Sequence, residues 1–112
     1  ATGKILTRLG YEVEAARDGG AAIELYQRGL AEGKAFDAVL MDLTISGGMG
    51  GKEAIQRLLA LDPKVRAVAA SGYSTDPIMA NFRDYGFRGM IAKPFDKSEL
   101  AKVLRDVLAE PA

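Results

Sequence analysis

The sequence predicts one α/β domain, a parallel sheet with helices on both faces, and three observations carry that prediction. Short apolar runs alternate along the chain with longer segments of helical period, the pattern of strands joined by crossover helices. Two of the runs, Phe36–Met41 and Val65–Ala70, are apolar nearly throughout rather than at every second residue, as in strands buried on both faces. The closing stretch carries Leu100, Val103, Leu104, Val107 and Leu108 at i, i+3, i+4, i+7 and i+8, a strong amphipathic signal.

Each element has its own signal. Ala1–Leu9 reads as the last turns of a helix, with Ile5, Leu6 and Leu9 on one side and Gly10 as its C′ residue. Tyr11–Ala15 reads as a short strand, because Tyr11, Val13 and Ala15 alternate with Glu12 and Glu14. Asp18 is a good N-cap for a helix over roughly Gly19–Glu32, with Ala22, Ile23, Tyr26 and Leu30 as the apolar stripe and Gly33 ending it. The strand Phe36–Met41 follows and runs through Asp42 into a loop with four glycines. Lys52–Leu61 is a helix that buries Ile55, Leu58 and Leu59 and is stopped by Asp62-Pro63. Val65–Ala70 is the next strand and Ser71–Pro77 a loop. A weaker helix is expected at Ile78–Tyr85, closed by Gly86, then a last strand at Phe87–Ala92. Asp96 and Glu99 have the spacing of a capping box ahead of the closing helix.

Composition narrows the chemistry. The 112 residues suffice for one core; 48% are hydrophobic and 27% charged, ordinary for a soluble globular domain. Fifteen basic and 15 acidic side chains cancel, so no basic stripe points to direct binding of nucleic acid or an anionic membrane. There is no cysteine and no histidine, which removes disulfides, thiolate chemistry, Ser-His-Asp catalysis and zinc sites of the usual kind. No apolar run approaches a membrane span and the start does not read as a signal peptide, so a cytoplasmic domain is the expectation.

Asp42, Ser71 and Lys93 share one property: each is the first strongly polar residue after a buried strand. In a parallel sheet the carboxyl ends of the strands lie on one edge, where ligands bind in open α/β folds. Three side chains far apart in sequence are therefore expected to converge. A carboxylate, a hydroxyl and an ammonium together suit a phosphoryl group: the carboxylate as nucleophile, the hydroxyl as hydrogen-bond donor, the ammonium as counter-charge. The plainer alternative is a capping Asp, or an Asp–Lys pair that only steadies the sheet edge.

These residues resemble the response-regulator receiver domain. The resemblance rests on Asp42 in LMDLTISGGMGG, the motif ASGYS at Ala70–Ser74 and Lys93-Pro94-Phe95, and it covers nearly the whole chain in order and spacing. The Lys-Pro-Phe junction and the glycine loop are similar to receivers attached to hybrid sensor histidine kinases in particular. The resemblance implies a flavodoxin-like, doubly wound sheet of order 2-1-3-4-5. It also implies that Asp42 accepts a phosphoryl group from a kinase or phosphotransfer-domain phosphohistidine, that Ser71 senses it and that Lys93 contacts it. Mg²⁺ would be bound by Asp42 and the backbone carbonyl of Thr44, and Pro94 would follow Lys93 through a cis bond. Such a domain transfers a phosphoryl group only to its own aspartate and is not otherwise an enzyme.

Two departures accompany the resemblance. Receivers carry an acidic pair at the end of a first strand, and that pair holds the Mg²⁺; no equivalent stands in this sequence, so residues 1–112 are expected to form a receiver lacking strand 1 and part of its metal site. The unpaired sheet edge so left would favour a homodimer. The switch position three residues before the lysine, usually aromatic, is Met90; Tyr73 in the adjacent loop is the aromatic available to take a similar part, its alternative being a plain surface-loop side chain. Rival readings fare worse. SGGMGGKE lacks the first glycine and the final Ser or Thr of a phosphate-binding loop. An aspartyl-phosphate phosphatase would carry an acid where Thr44 stands. A receiver fold kept only as an interaction module is the remaining alternative.

Overall fold

Three parallel strands, β1 (Val39–Asp42), β2 (Ala67–Ser71) and β3 (Gly89–Ala92), form one sheet in the order β1-β2-β3 in the computed structural model, which describes residues 2–43, 50–72 and 76–111. The register runs from Val39 opposite Ala67 to Asp42 opposite Ala70, and from Val68 opposite Gly89 to Ser71 opposite Ala92. The helices are α1 (Thr2–Arg8), α2 (Gly19–Ala31), α3 (Gly51–Leu61), α4 (Pro77–Ala80), α5 (Phe82–Tyr85) and α6 (Lys97–Ala109).

Both faces of the sheet are covered, because side chains on a strand alternate between them. Met41, Ala67 and Ala69 face a cluster with Tyr26 of α2, Ala54, Ile55 and Leu58 of α3, Met79 of α4 and Phe87. Val68, Ala70 and Ile91 face the other way, onto Leu100, Leu104 and Val107 of α6, with Ile5 and Leu6 of α1 at the margin. All five residues of β2 are buried. Its alanines are small, and the helices fill the space over them with Ile55, Leu58 and Leu100, each fully buried. Burial of one such side chain stabilises by about 1.5–3 kcal/mol.

The caps expected from sequence are formed. Asp18 accepts from the Ala21 N–H at 2.9 Å, and Asp96 from the Glu99 N–H at 2.8 Å. A third cap, not anticipated, is Asp76, which accepts from the Ile78 N–H at 2.9 Å and starts α4. Gly86 ends α5 with φ of 105°, a left-handed conformation that a side chain disfavours, and a Cβ there would run into Leu59. Gly29, buried in α2, leaves room for the returning chain: a Cβ would lie 2.8 Å from the Lys34 carbonyl oxygen.

Four expectations are corrected. Tyr11–Ala15 is not a strand: residues 11–16 lie outside the sheet, Tyr11 packs at the margin of the α6 cluster and Val13 is 37% exposed. Alternation marks a segment able to join a sheet, but a strand exists only where a neighbour supplies its ladder, and no described strand lies beside this one. The segment expected as one helix at Ile78–Tyr85 is two short helices, with Asn81 between them in a non-helical conformation. The strands begin two or three residues later than the apolar runs, because pairing rather than hydrophobicity sets their limits. Asp42 and Ser71 are accordingly the last residues of their strands, not the first beyond them.

Candidate functional site

The carboxyl edge of the sheet gathers the three predicted polar residues. Asp42 ends β1 and Ser71 ends β2. The parallel ladder continues past both, with the Leu43 N–H donating to the Ala70 carbonyl at 2.7 Å and the Lys93 N–H to the Ser71 carbonyl at 2.9 Å. These bonds place the three residues side by side on adjacent strand ends before any side chain is considered. The Lys93 Nζ then donates to Asp42 Oδ2, closing an ion pair that spans β2. The side chains of Lys93 and Asp42 are 32% and 31% exposed, so the pair borders solvent without being free in it. Ser71 is the one buried polar residue among those described, 1% exposed.

An open groove of about 540 Å³ lies beside the ion pair, lined by Thr2, Ile5, Gly72, Lys93, Pro94 and Phe95. The Lys93–Pro94 peptide bond is cis, as the resemblance implied. The part of α1 in this wall was not anticipated, since its sequence reads only as a helix end. Met90 lies away from the edge, half-buried in β3 against the cluster that includes Met79 and Phe87. Thr44 and Tyr73, together with the glycine loop over residues 44–49, lie outside the described residues.

A divalent cation of the hard type takes oxygen ligands, and a protein Mg²⁺ site uses one or two carboxylates with waters or substrate phosphates. Among the described residues no group of three His, Cys, Asp or Glu side chains is placed to hold a metal. Asp42, the carboxylate that ends β1, is already bonded to Lys93. The described donors therefore do not fit a complete Mg²⁺ site. Nor is any described helix long and apolar enough to cross a membrane.

A parallel sheet covered on both faces, with a carboxylate, a hydroxyl and an ammonium on its carboxyl edge, defines an open α/β domain, the class in which ligands bind at that edge. The response regulator receiver domain matches residues 1–105, and the chain belongs to that family. It is 25% identical over 105 residues to sporulation initiation phosphotransferase F of Bacillus subtilis, covering 94% of this chain and 80% of that protein. It is 29% identical over 108 residues to the transcription factor SKN7 of Candida albicans; there 96% of this chain matches only 18% of the relative's length. Among solved structures, the receiver domain of the sensor histidine kinase PA1611 from Pseudomonas aeruginosa has a TM-score of 0.83 at 25% identity, over 97% of this chain and 86% of that one. That protein holds a magnesium ion coordinated in its active-site cleft. The NtrX receiver domain from Brucella abortus has the same TM-score at 22% identity, covering 97% and 88%, a likeness of fold.

Proposed function

We propose that this receiver domain accepts a phosphoryl group on Asp42 from the phosphohistidine of a sensor histidine kinase or phosphotransfer domain, in the cytoplasm, and signals by changing conformation. The observation that carries this reading is the Asp42–Lys93 ion pair beside buried Ser71, on an edge that opens into a groove. An Asp42 carboxylate oxygen forms the new bond to phosphorus as the phosphorus–nitrogen bond to the donor imidazole breaks. The imidazole leaves with the electron pair, and a proton from solvent restores its neutral form. Lys93 offsets the negative charge that gathers on the phosphoryl oxygens, and the Ser71 hydroxyl donates to one of them in the product. The added charge and acceptor oxygens bias the surface formed by α4, α5, β3 and α6 toward a second arrangement. With Met90 in place of an aromatic, that rearrangement is smaller than the family pattern implies.

The three strands fit positions 3, 4 and 5 of the 2-1-3-4-5 order. In this reading Asp42 and the Thr44 carbonyl would be ligands for Mg²⁺, the ion that the PA1611 receiver domain holds in its cleft. An interaction module that kept the fold without the chemistry is the second reading, favoured by the lack, among the described residues, of any group of three side chains placed to hold a metal. Exposure to a small phosphodonor with Mg²⁺, followed by intact-mass measurement and peptide mapping, separates the two. One added phosphoryl group on Asp42, absent from Asp42→Asn, is expected; no addition, or a label at Asp37 or Asp62, refutes the proposal.

A further inference from the structure

The opposite, amino edge of the sheet carries an arrangement that phosphoryl chemistry does not use. Helix α6 ends at Ala109 with no basic residue in its last turn, although the end of a helix favours positive charge. Three arginines from elsewhere supply it. Arg66, just ahead of β2, donates through Nη2 to the Glu110 carbonyl at 3.0 Å. Arg88, just ahead of β3, donates through Nη1 to the Pro111 carbonyl at 2.8 Å. Arg83 of α5 donates through Nη2 to Glu110 Oε2, also at 3.0 Å, while its guanidinium lies 5.5 Å from the centre of the Phe82 ring.

We propose that Arg66, Arg88 and Arg83 form a clamp that sets the direction in which the backbone leaves α6 and ties that direction to α5. Two of the three bonds go to successive main-chain carbonyls, so they fix backbone direction rather than a side-chain rotamer. Glu110 leaves the helix extended, at φ −66° and ψ 144°, which turns those carbonyls toward the sheet edge. Arg66 holds its place at a cost: its Nε is buried with no hydrogen-bond partner among the described residues, while its Nη2 is committed to Glu110. The link to α5 runs through Arg83. Helix α5 is a four-residue piece between the break at Asn81 and Gly86, so a shift of α5 carries Arg83 and pulls on Glu110. The inference stands independently of phosphorylation at Asp42.

Backbone ¹⁵N relaxation on the full chain tests it. In the unmodified protein Glu110 is expected to have an order parameter near the rigid value of about 0.85. In the Arg66→Gln, Arg88→Gln double variant it should fall below about 0.6, while Leu100 and Leu104 stay rigid. Arg83→Gln should give a smaller fall at Glu110 and shift the Phe82 and Tyr85 amides. Arg105→Gln, an exposed α6 arginine 4.0 Å from the nearest Asp106 oxygen, serves as the control and should change nothing at Glu110. If the double variant does not fold, Arg88→Gln alone decides, since its bond lies at the surface. A flexible Glu110 in the unmodified protein, or a rigid one after the arginines are removed, overturns the clamp.

Discussion

The two edges of one sheet use charge in opposite ways. At the amino edge charged side chains are spent on internal bonds. Arg66 and Arg88 hold main-chain carbonyls, and Asp62 accepts from the Tyr26 hydroxyl at 2.7 Å and from the Lys64 N–H at 3.0 Å. At the carboxyl edge Lys93, paired with Asp42, lines an open groove, and Ser71 sits buried on the strand between them. The polypeptide direction accounts for the difference. Parallel strands deliver their last residues, and the loops that follow, to one edge, where side chains converge over open space. At the other edge the returning loops and the end of α6 close over the strands. The amino edge is thus closed by internal bonds, while the carboxyl edge stays open beside Lys93.

Substitutions at the two edges should separate chemistry from stability. The largest expected effect is on rate. Lys93→Gln should slow phosphoryl uptake at Asp42 by about 10²–10³-fold, the usual cost of removing one charge-stabilising donor. Its effect on stability should be no more than about 1 kcal/mol, because the pair is one-third exposed. Mass spectrometry over time after phosphodonor addition, beside urea unfolding, reads both quantities; equal damage to each would erase the distinction between the edges.

Gly86→Ala leads into the amino edge through Phe87 and should do the reverse. A side chain at φ 105° that also meets Leu59 should cost about 1–3 kcal/mol of stability. Phosphoryl uptake should be unchanged in the fraction that remains folded. A shift in the urea midpoint without a change in its slope is the expected signature.

Tyr26→Phe should give the smallest change, a loss of about 1 kcal/mol for one hydrogen bond. Its pH dependence sharpens the comparison. The Tyr26 hydroxyl bond, followed by the Lys64 N–H, holds the Asp62 carboxyl below its ordinary value of 3.8. Asp62 therefore contributes stability that is present above pH 3.8 and is lost as pH falls through its lower folded value. Burial first, then the bond to Asp62, holds the Tyr26 phenol above its ordinary 10.0, so stability also falls as pH rises past 10.0, where the unfolded chain ionises first. Tyr26→Phe should remove the alkaline loss and flatten the acid one. Urea unfolding across the pH range checks it; identical profiles would mean that the bond contributes nothing.

Much of this was legible in the sequence. The caps at Asp18 and Asp96, the helix ends at Gly33 and Gly86, and the burial of Ile55, Leu58, Leu100 and Leu104 are local matters of spacing and side-chain chemistry. The convergence of Asp42, Ser71 and Lys93 was legible too, because parallel strands must bring their last residues to one edge. Tertiary structure alone decided what depended on a distant partner. Tyr11–Ala15 has a strand's alternation but no described neighbour to complete its ladder, and the apolar runs at Phe36 and Val65 became strands only where their ladders began. The break at Asn81, the wall that Thr2 and Ile5 lend to the groove, and the grip of Arg66 and Arg88 on the end of α6 leave no periodic mark. A sequence pattern records which face of an element is apolar. It does not record which group, tens of residues away, meets a given donor or carbonyl, because that meeting is fixed by how the elements pack.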